Sequence, residues 1–138
     1  RKLKLMMYDD AMEPARALQN ARRLITQDKV FGISGNVGTG ANLGARPFYN
    51  TEKVPQVFLY TGGPMFGAKP DVEKFPYTML ALLAYNTEAA LYAAYIKENF
   101  PGAKVALFND DSGGPFFATG FIKAAKEIKP PKRLCLYR

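Results

Sequence analysis

Four short segments of the 138-residue chain hold the residue types that do chemistry: Asp9-Asp10, residues 35–40, residues 60–67 and residues 109–114. The paired carboxylates Asp9-Asp10 and Asp110-Asp111 are of the type that binds a metal or moves a proton; the same residues also cap helices or stay solvated. Residues 35–40 read Gly-Asn-Val-Gly-Thr-Gly and run into Ala41, a plausible helix start. N–H groups at a helix N-terminus attract carboxylate or phosphate, and the Thr39 hydroxyl adds a hydrogen bond. A dinucleotide fingerprint needs Gly or Ala at position 43, which is Leu43, and an acidic end to the next strand, which ends in Tyr60-Thr61. The Gly-Lys-Ser/Thr of a phosphate loop is absent. A carboxylate fits this segment at least as well as a nucleotide. Tyr60-Thr61-Gly62-Gly63 offers an aromatic face, a hydroxyl and accessible backbone, the make-up of a small-molecule pocket and equally that of a chain turn.

Composition removes several classes of function. The chain has no His, which excludes Ser-His-Asp and Cys-His catalysis and the commonest metal ligand. Its single Cys, Cys135, excludes a disulfide framework and a Cys-based zinc site. An enzyme would have to use Asp, Lys or Tyr for proton transfer, and no such residue is singled out; no catalytic residue, metal ligand or cofactor is assigned. The net charge of +7 is mostly local, since residues 123–138 carry six basic residues against Glu127 alone. That is a tail property and argues against a nucleic-acid partner. The longest apolar stretch, 79–85, is far short of a membrane span.

The elements that must position these loops alternate between strand and helix patterns. Strands are expected at 3–8, 30–34, 54–60 and 103–108. Pro14 opens a helix carrying Ala17, Leu18, Ala21, Leu24 and Ile25 at helical spacing, with Arg16, Arg22 and Arg23 between them on a solvated face. A poorer helix is expected at 41–49, the best one at 87–97, ending at Asn99-Phe100-Pro101-Gly102, and a last one at 116–128. Residues 61–74 read as a Gly- and Pro-rich loop. Such alternation implies an α/β fold: a mainly parallel, Rossmann-like sheet with flanking helices, as a single unit without repeat or linker. Ligands of such sheets bind beyond the carboxyl ends of the strands, where the four segments fall.

Asp9-Asp10-Ala11 with Pro14, and Asn20-Ala21-Arg22-Arg23-Leu24-Ile25, resemble a stretch of the type I periplasmic binding proteins. The subgroup is the branched-chain amino-acid (leucine-binding-like) substrate-binding proteins of ABC transporters. The resemblance continues through Val30-Phe31-Gly32-Ile33-Ser34-Gly35, Val54-Pro55, Thr61-Gly62 and Tyr85-Asn86-Thr87-Glu88-Ala89, to Asn109-Asp110-Asp111 with Gly120. It covers about residues 1–127.

The resemblance implies two α/β lobes closing over a small ligand, no catalysis, and delivery of solute to an ABC permease from the periplasm or the extracellular side. It places the ligand's carboxylate on Val37, Gly38, Thr39 and Gly40, and its carboxylate and amino group on Tyr60, Thr61 and Gly62. Residues 1–127 are then a partial N-terminal lobe, lacking a preceding strand and helix and the second lobe. Residues 128–138 are an atypical basic tail where relatives carry a turn and an apolar strand. Family members place an aromatic residue before the Gly of the Asp-Asp loop; here the stretch is Ser112-Gly113-Gly114-Pro115. Weak ligand binding by the chain alone is expected, as is a dimer through an exposed sheet edge. Two rival readings are a stand-alone ligand-sensing or interaction domain and a Rossmann-like nucleotide enzyme.

Overall fold

Pro14 lacks the N–H that the first helical turn leaves unpaired, and α1 (Pro14–Thr26) starts on it. In this computed structural model, residues 2–109, 113–127 and 134–137 are described. The order continues β1 (Ile33–Ser34), α2 (Thr39–Thr51), β2 (Gln56–Leu59), a 3-10 turn at Pro64–Phe66, α3 (Lys69–Lys74), β3 (Thr78–Leu80), α4 (Tyr85–Asn99), β4 (Val105–Phe108), α5 (Gly114–Glu127) and β5 (Leu134–Tyr137).

Among the described residues the strand pairings are parallel, as the alternation predicts, and they fall in two sheets. The first has the order β1-β2-β3, with Ile33 opposite Gln56 and Gln56 opposite Thr78. The second pairs β4 with β5, Val105 opposite Leu134 through Phe108 opposite Tyr137. The chain correspondingly divides into two packed units, not the expected single one. One comprises residues 1–61 and 65–82, the other residues 62–64 and 83–138.

In the first unit α1 and α2 meet through small residues. Ala17, Ala21, Ala41 and Ala45 are buried with Ile33 and Tyr49, and Leu24, Ile25, Val30, Phe48 and Val54 pack around them. Small side chains let the helix backbones approach closely, and α2 carries Pro47 in its interior. In the second unit Ala89 and Ala93 of α4 pack on Phe121 and Ala125 of α5. Gly120 stands against the backbone of Asn86, where a Cβ would meet Asn86 Cα at 2.5 Å.

Three local expectations are corrected. Residues 3–8 form no strand: Leu3, Leu5 and Met7 are 95%, 80% and 79% exposed, so their alternating apolar pattern has no partner among the described residues. The loop read at 61–74 contains the 3-10 turn and α3, whose start is set by Pro70 in its first turn. The apolar run at 79–85 overlaps a strand, β3, which the reading omitted because Tyr77-Thr78-Met79-Leu80 abuts a second apolar run with no turn signal between. Within residues 128–138, Leu134–Tyr137 form β5; residues 128–133 and 138 lie outside the described residues.

Candidate functional site

The parallel pairing of β1 with β2 continues past both strands as an isolated bridge between Val37 and Tyr60. The Tyr60 N–H donates to the Asn36 carbonyl at 2.8 Å, and the Gly38 N–H donates to the Tyr60 carbonyl at 3.3 Å. Two of the segments singled out in the sequence, 35–40 and 60–61, are thereby held side by side beyond the carboxyl ends of their strands, as the sheet rule requires.

Gly38 occupies the N-cap position of α2 at φ 91°, ψ 139°, a conformation that essentially only glycine adopts. A Cβ there would also stand 2.9 Å from Met12 Cε. No side chain caps the helix, so its first-turn N–H groups at Thr39 and Gly40 have no side-chain acceptor at the positive end of the helix dipole. The Thr39 and Thr61 hydroxyl oxygens lie 2.7 Å apart, with Thr39 3% and Thr61 0% exposed. Tyr60 and Val37 are more than half exposed on either side of this buried pair. Six of the sequence-predicted residues therefore come together in the first unit: Val37, Gly38, Thr39, Gly40, Tyr60 and Thr61.

Gly62 belongs to the second unit. Its carbonyl accepts from the Tyr85 N–H at 2.6 Å, and a Cβ on it would meet Leu83 O at 2.6 Å and the Tyr85 ring at 2.5 Å. Its role in the structure is close packing against the start of α4. Asp9 and Asp10 accept from the backbone N–H groups of Ala11 and Met12, both at 2.8 Å, which is the turn-forming role of Asp. Asp110 and Asp111 lie outside the described residues.

Sequence reading missed the buried polar side chains beneath this site. Asn42 donates from Nδ2 to the Gly38 carbonyl at 2.6 Å and to the Asn36 carbonyl at 3.2 Å. Its Oδ1 accepts from Gln56 Nε2 at 2.7 Å. Thr78 Oγ1 donates to Gln56 Oε1 at 3.4 Å and accepts from Asn50 Nδ2 at 2.9 Å. Asn42, Gln56 and Thr78 are all buried, so their polar groups would be costly without these bonds. The available signal was an amide at a core-facing position: Asn42 follows Ala41, and Gln56 opens an apolar strand.

Arg46, also missed, is 6% exposed, with its guanidinium 4.0 Å from the Phe75 ring centroid and 4.9 Å from that of Phe66. It donates to the Met65 carbonyl at 2.9 Å and pairs with Asp71 at 3.4 Å. Burial holds its guanidinium below the ordinary arginine value. This ties the segment that follows Thr61 back onto α2. A polar depression along α1, lined by Asp9, Arg16, Asn20 and Arg23 among others, includes Asp9 of the candidate segments and none of residues 35–40 or 60–62. No group of His, Cys, Asp and Glu able to hold a metal occurs among the described residues.

The family model described as periplasmic binding protein matches residues 1–129. Comparison with curated proteins gives no match. Among solved structures, a leucine/isoleucine/valine-binding protein of Rhodopirellula baltica SH 1, described as possible, is 26% identical with TM-score 0.78 over 98% of this chain and 37% of its own. A leucine-binding protein of Thermotoga maritima MSB8 is 22% identical with TM-score 0.78, over 98% of this chain and 38% of its own. A solute-binding protein of an ABC transporter from Rhodopseudomonas palustris BisB5, in complex with 3,4-dihydroxybenzoic acid, is 24% identical with TM-score 0.81, over 99% and 36%. The chain thus spans under two-fifths of the length of each. The family and these relatives are binding proteins, not enzymes. With the family model covering nearly its whole length, the chain belongs to the periplasmic binding protein family.

Proposed function

We propose that this chain is part of the solute-binding component of an ABC importer, and that its ligand is a small carboxylate. The observation that carries this reading is the joined edge of α2 and β2. An uncapped helix N-terminus, entered through Gly38, stands beside a buried Thr39–Thr61 hydroxyl pair and an exposed Tyr60 ring. The N–H groups and dipole favour an anion, and the ring offers an apolar face to the rest of the solute. Both an amino acid and an aromatic acid fit that chemistry, and the solved relatives are described with ligands of both kinds. In this reading Val37, Gly38, Thr39, Gly40, Tyr60 and Thr61 hold the ligand from the first unit. The partners are the solute and an ABC permease, and the compartment is the periplasm or cell exterior.

The expectation that residues 1–127 form one lobe with a separate tail at 128–138 changes within this proposal. The division at Leu82–Leu83 and the pairing of β5 with β4 support assigning residues from Leu83 onward to a separate lobe. Self-association of the chain in isolation through an exposed sheet edge belongs to the same proposal.

Calorimetric titration tests the ligand class. L-leucine, L-isoleucine, 4-hydroxybenzoate and 3,4-dihydroxybenzoate are titrated into the 138-residue chain and into a longer protein that contains it. Saturable heat with a free acid, lost with its methyl ester, is the expected result. Silence across the panel in the longer protein, or equal binding of acid and ester, overturns the reading.

A further inference from the structure

The loop before α2 makes a second use of Asn42, and it bears on which peptide groups face a ligand. A trans peptide sets its C=O and N–H in opposite directions, and no cis bond occurs among the described residues. Asn42 Nδ2 donates to the Gly38 carbonyl at 2.6 Å and to the Asn36 carbonyl at 3.2 Å, adding to the bonds those carbonyls accept from the Asn42 N–H at 3.3 Å and the Tyr60 N–H at 2.8 Å. The N–H groups of Thr39 and Val37, the other halves of those peptides, are therefore turned the opposite way, and no described residue accepts from either. Asn42 can donate from Nδ2 toward the loop only while its amide keeps that orientation. Gln56 fixes it: Nε2 donates to Asn42 Oδ1 at 2.7 Å, so a flipped Asn42 would set NH2 against NH2. Thr78 Oγ1 in turn donates to Gln56 Oε1 at 3.4 Å and accepts from Asn50 Nδ2 at 2.9 Å, which defines the direction of the whole chain of bonds.

We infer that Asn42 and Gln56 are positioning residues of the binding site. Through a relay running Asn50–Thr78–Gln56–Asn42, the strand β3 sets which peptide N–H groups of residues 36–39 face the solute. The inference rests on the proposed carboxylate site for its functional meaning, while its structural content stands by itself. No member of the relay needs to touch the ligand. Each is buried or partly buried and satisfied inside the first unit, so the relay acts by aiming Thr39 and Val37, whose own side chains carry no information about peptide orientation.

The test uses Asn42→Asp, which keeps the shape and loses the donor, and Gln56→Met, which keeps the length and frees the Asn42 amide to turn over. Ile33→Val serves as a core variant of the same unit outside the relay. Residue-resolved amide exchange is read at Gly38 and Tyr60, whose N–H groups close the two cross-loop bonds. In Asn42→Asp and Gln56→Met their protection is expected to fall by about tenfold or more relative to Ile33→Val, the change produced by losing one ordinary hydrogen bond. Equal protection in all three variants overturns the inference whatever the ligand. Should Asn42→Asp fail to fold, Gln56→Met decides by the same measure.

The functional arm titrates 4-hydroxybenzoate and L-leucine, each beside its methyl ester, into the longer protein. Affinity for the acid that binds is expected to fall about tenfold in the relay variants and to stay within about twofold in Ile33→Val. If the parent protein binds neither acid, the proposed function fails while the exchange result still judges the relay. If it binds and the relay variants bind equally well, the positioning role fails while the proposed function stands.

Discussion

The hydroxyl oxygens of Thr39 and Thr61 lie 2.7 Å apart in the interior of the first unit, one from the opening turn of α2 and the other from the segment leaving β2. Twenty-two residues of sequence separate them. Neither position is core-like by residue type, yet Thr39 is 3% and Thr61 0% exposed. The pair is where the two loops of the candidate site are fastened together.

That fastening is measurable by a double-mutant cycle in urea. Thr39→Val should cost about 1 kcal/mol, because it removes the bond between the two buried hydroxyls. The Thr39→Val/Thr61→Val double variant should lose less than the sum of the single losses, by roughly 1 kcal/mol, since the two share one bond. Strict additivity would show that the hydroxyls do not interact in solution.

Arg46 and Asp71 form the ion pair among the described residues, but their contributions should be unequal. Arg46→Ala removes contacts with two rings and the bond to the Met65 carbonyl, and should destabilise by about 3 kcal/mol. Asp71 is 32% exposed at a 3.4 Å separation, so Asp71→Asn should cost less than about 1 kcal/mol. Thermal unfolding of both variants checks the ranking, and the reverse order would place the energy in the charge pair rather than in the ring sandwich.

Gly120 has no space for a methyl group. A Cβ would meet Asn86 Cα at 2.5 Å and Asn86 O at 2.6 Å, and backbone cannot yield as a flexible side chain can. Gly120→Ala should therefore destabilise the second unit by about 2–3 kcal/mol through displacement of α4 from α5. Amide exchange in α4 and α5 reads the loss directly. An unchanged or more stable protein would mean that the two helices pack further apart than described.

Burial pushes the Tyr49 phenol above its ordinary value of 10.0. The folded chain then keeps this proton when the unfolded chain releases it. The contribution is complete below pH 10, where both states hold the proton, and it is lost as pH rises through 10 and beyond. Unfolding midpoints measured on either side of pH 10 should fall more steeply for the parent than for Tyr49→Phe. Parallel curves would show that Tyr49 is not the group responsible.

Much of the geometry of the candidate site was legible because it is local. Gly38 is needed where the backbone turns at positive φ into α2, and the Gly-Thr-Gly spelling carries that on its face. Pro14, Pro70 and Pro101 mark element boundaries by the same kind of short-range rule. Residues 3–8 show the limit: alternating Leu3, Leu5 and Met7 favour a strand, but a strand exists only where another accepts its hydrogen bonds. Leu134–Tyr137 shows the converse, since a short apolar run after a basic stretch becomes β5 once β4 lies beside it.

The sequence by itself determined the alternation of helix and strand, the parallel sense of pairing, the family, and the two glycine- and threonine-bearing loops at strand ends. Those follow from periodicity and turn chemistry, which act over a few residues. Only the tertiary structure decided that the strands fall into two sheets and the chain into two units, and that Gly62 serves the start of α4. It also decided that Asn42, Gln56, Thr78 and Arg46 are interior. A polar residue is buried only where partners from distant segments satisfy it, and those partners, such as Gln56 for Asn42 and Phe75 for Arg46, are chosen by packing rather than by spacing along the chain.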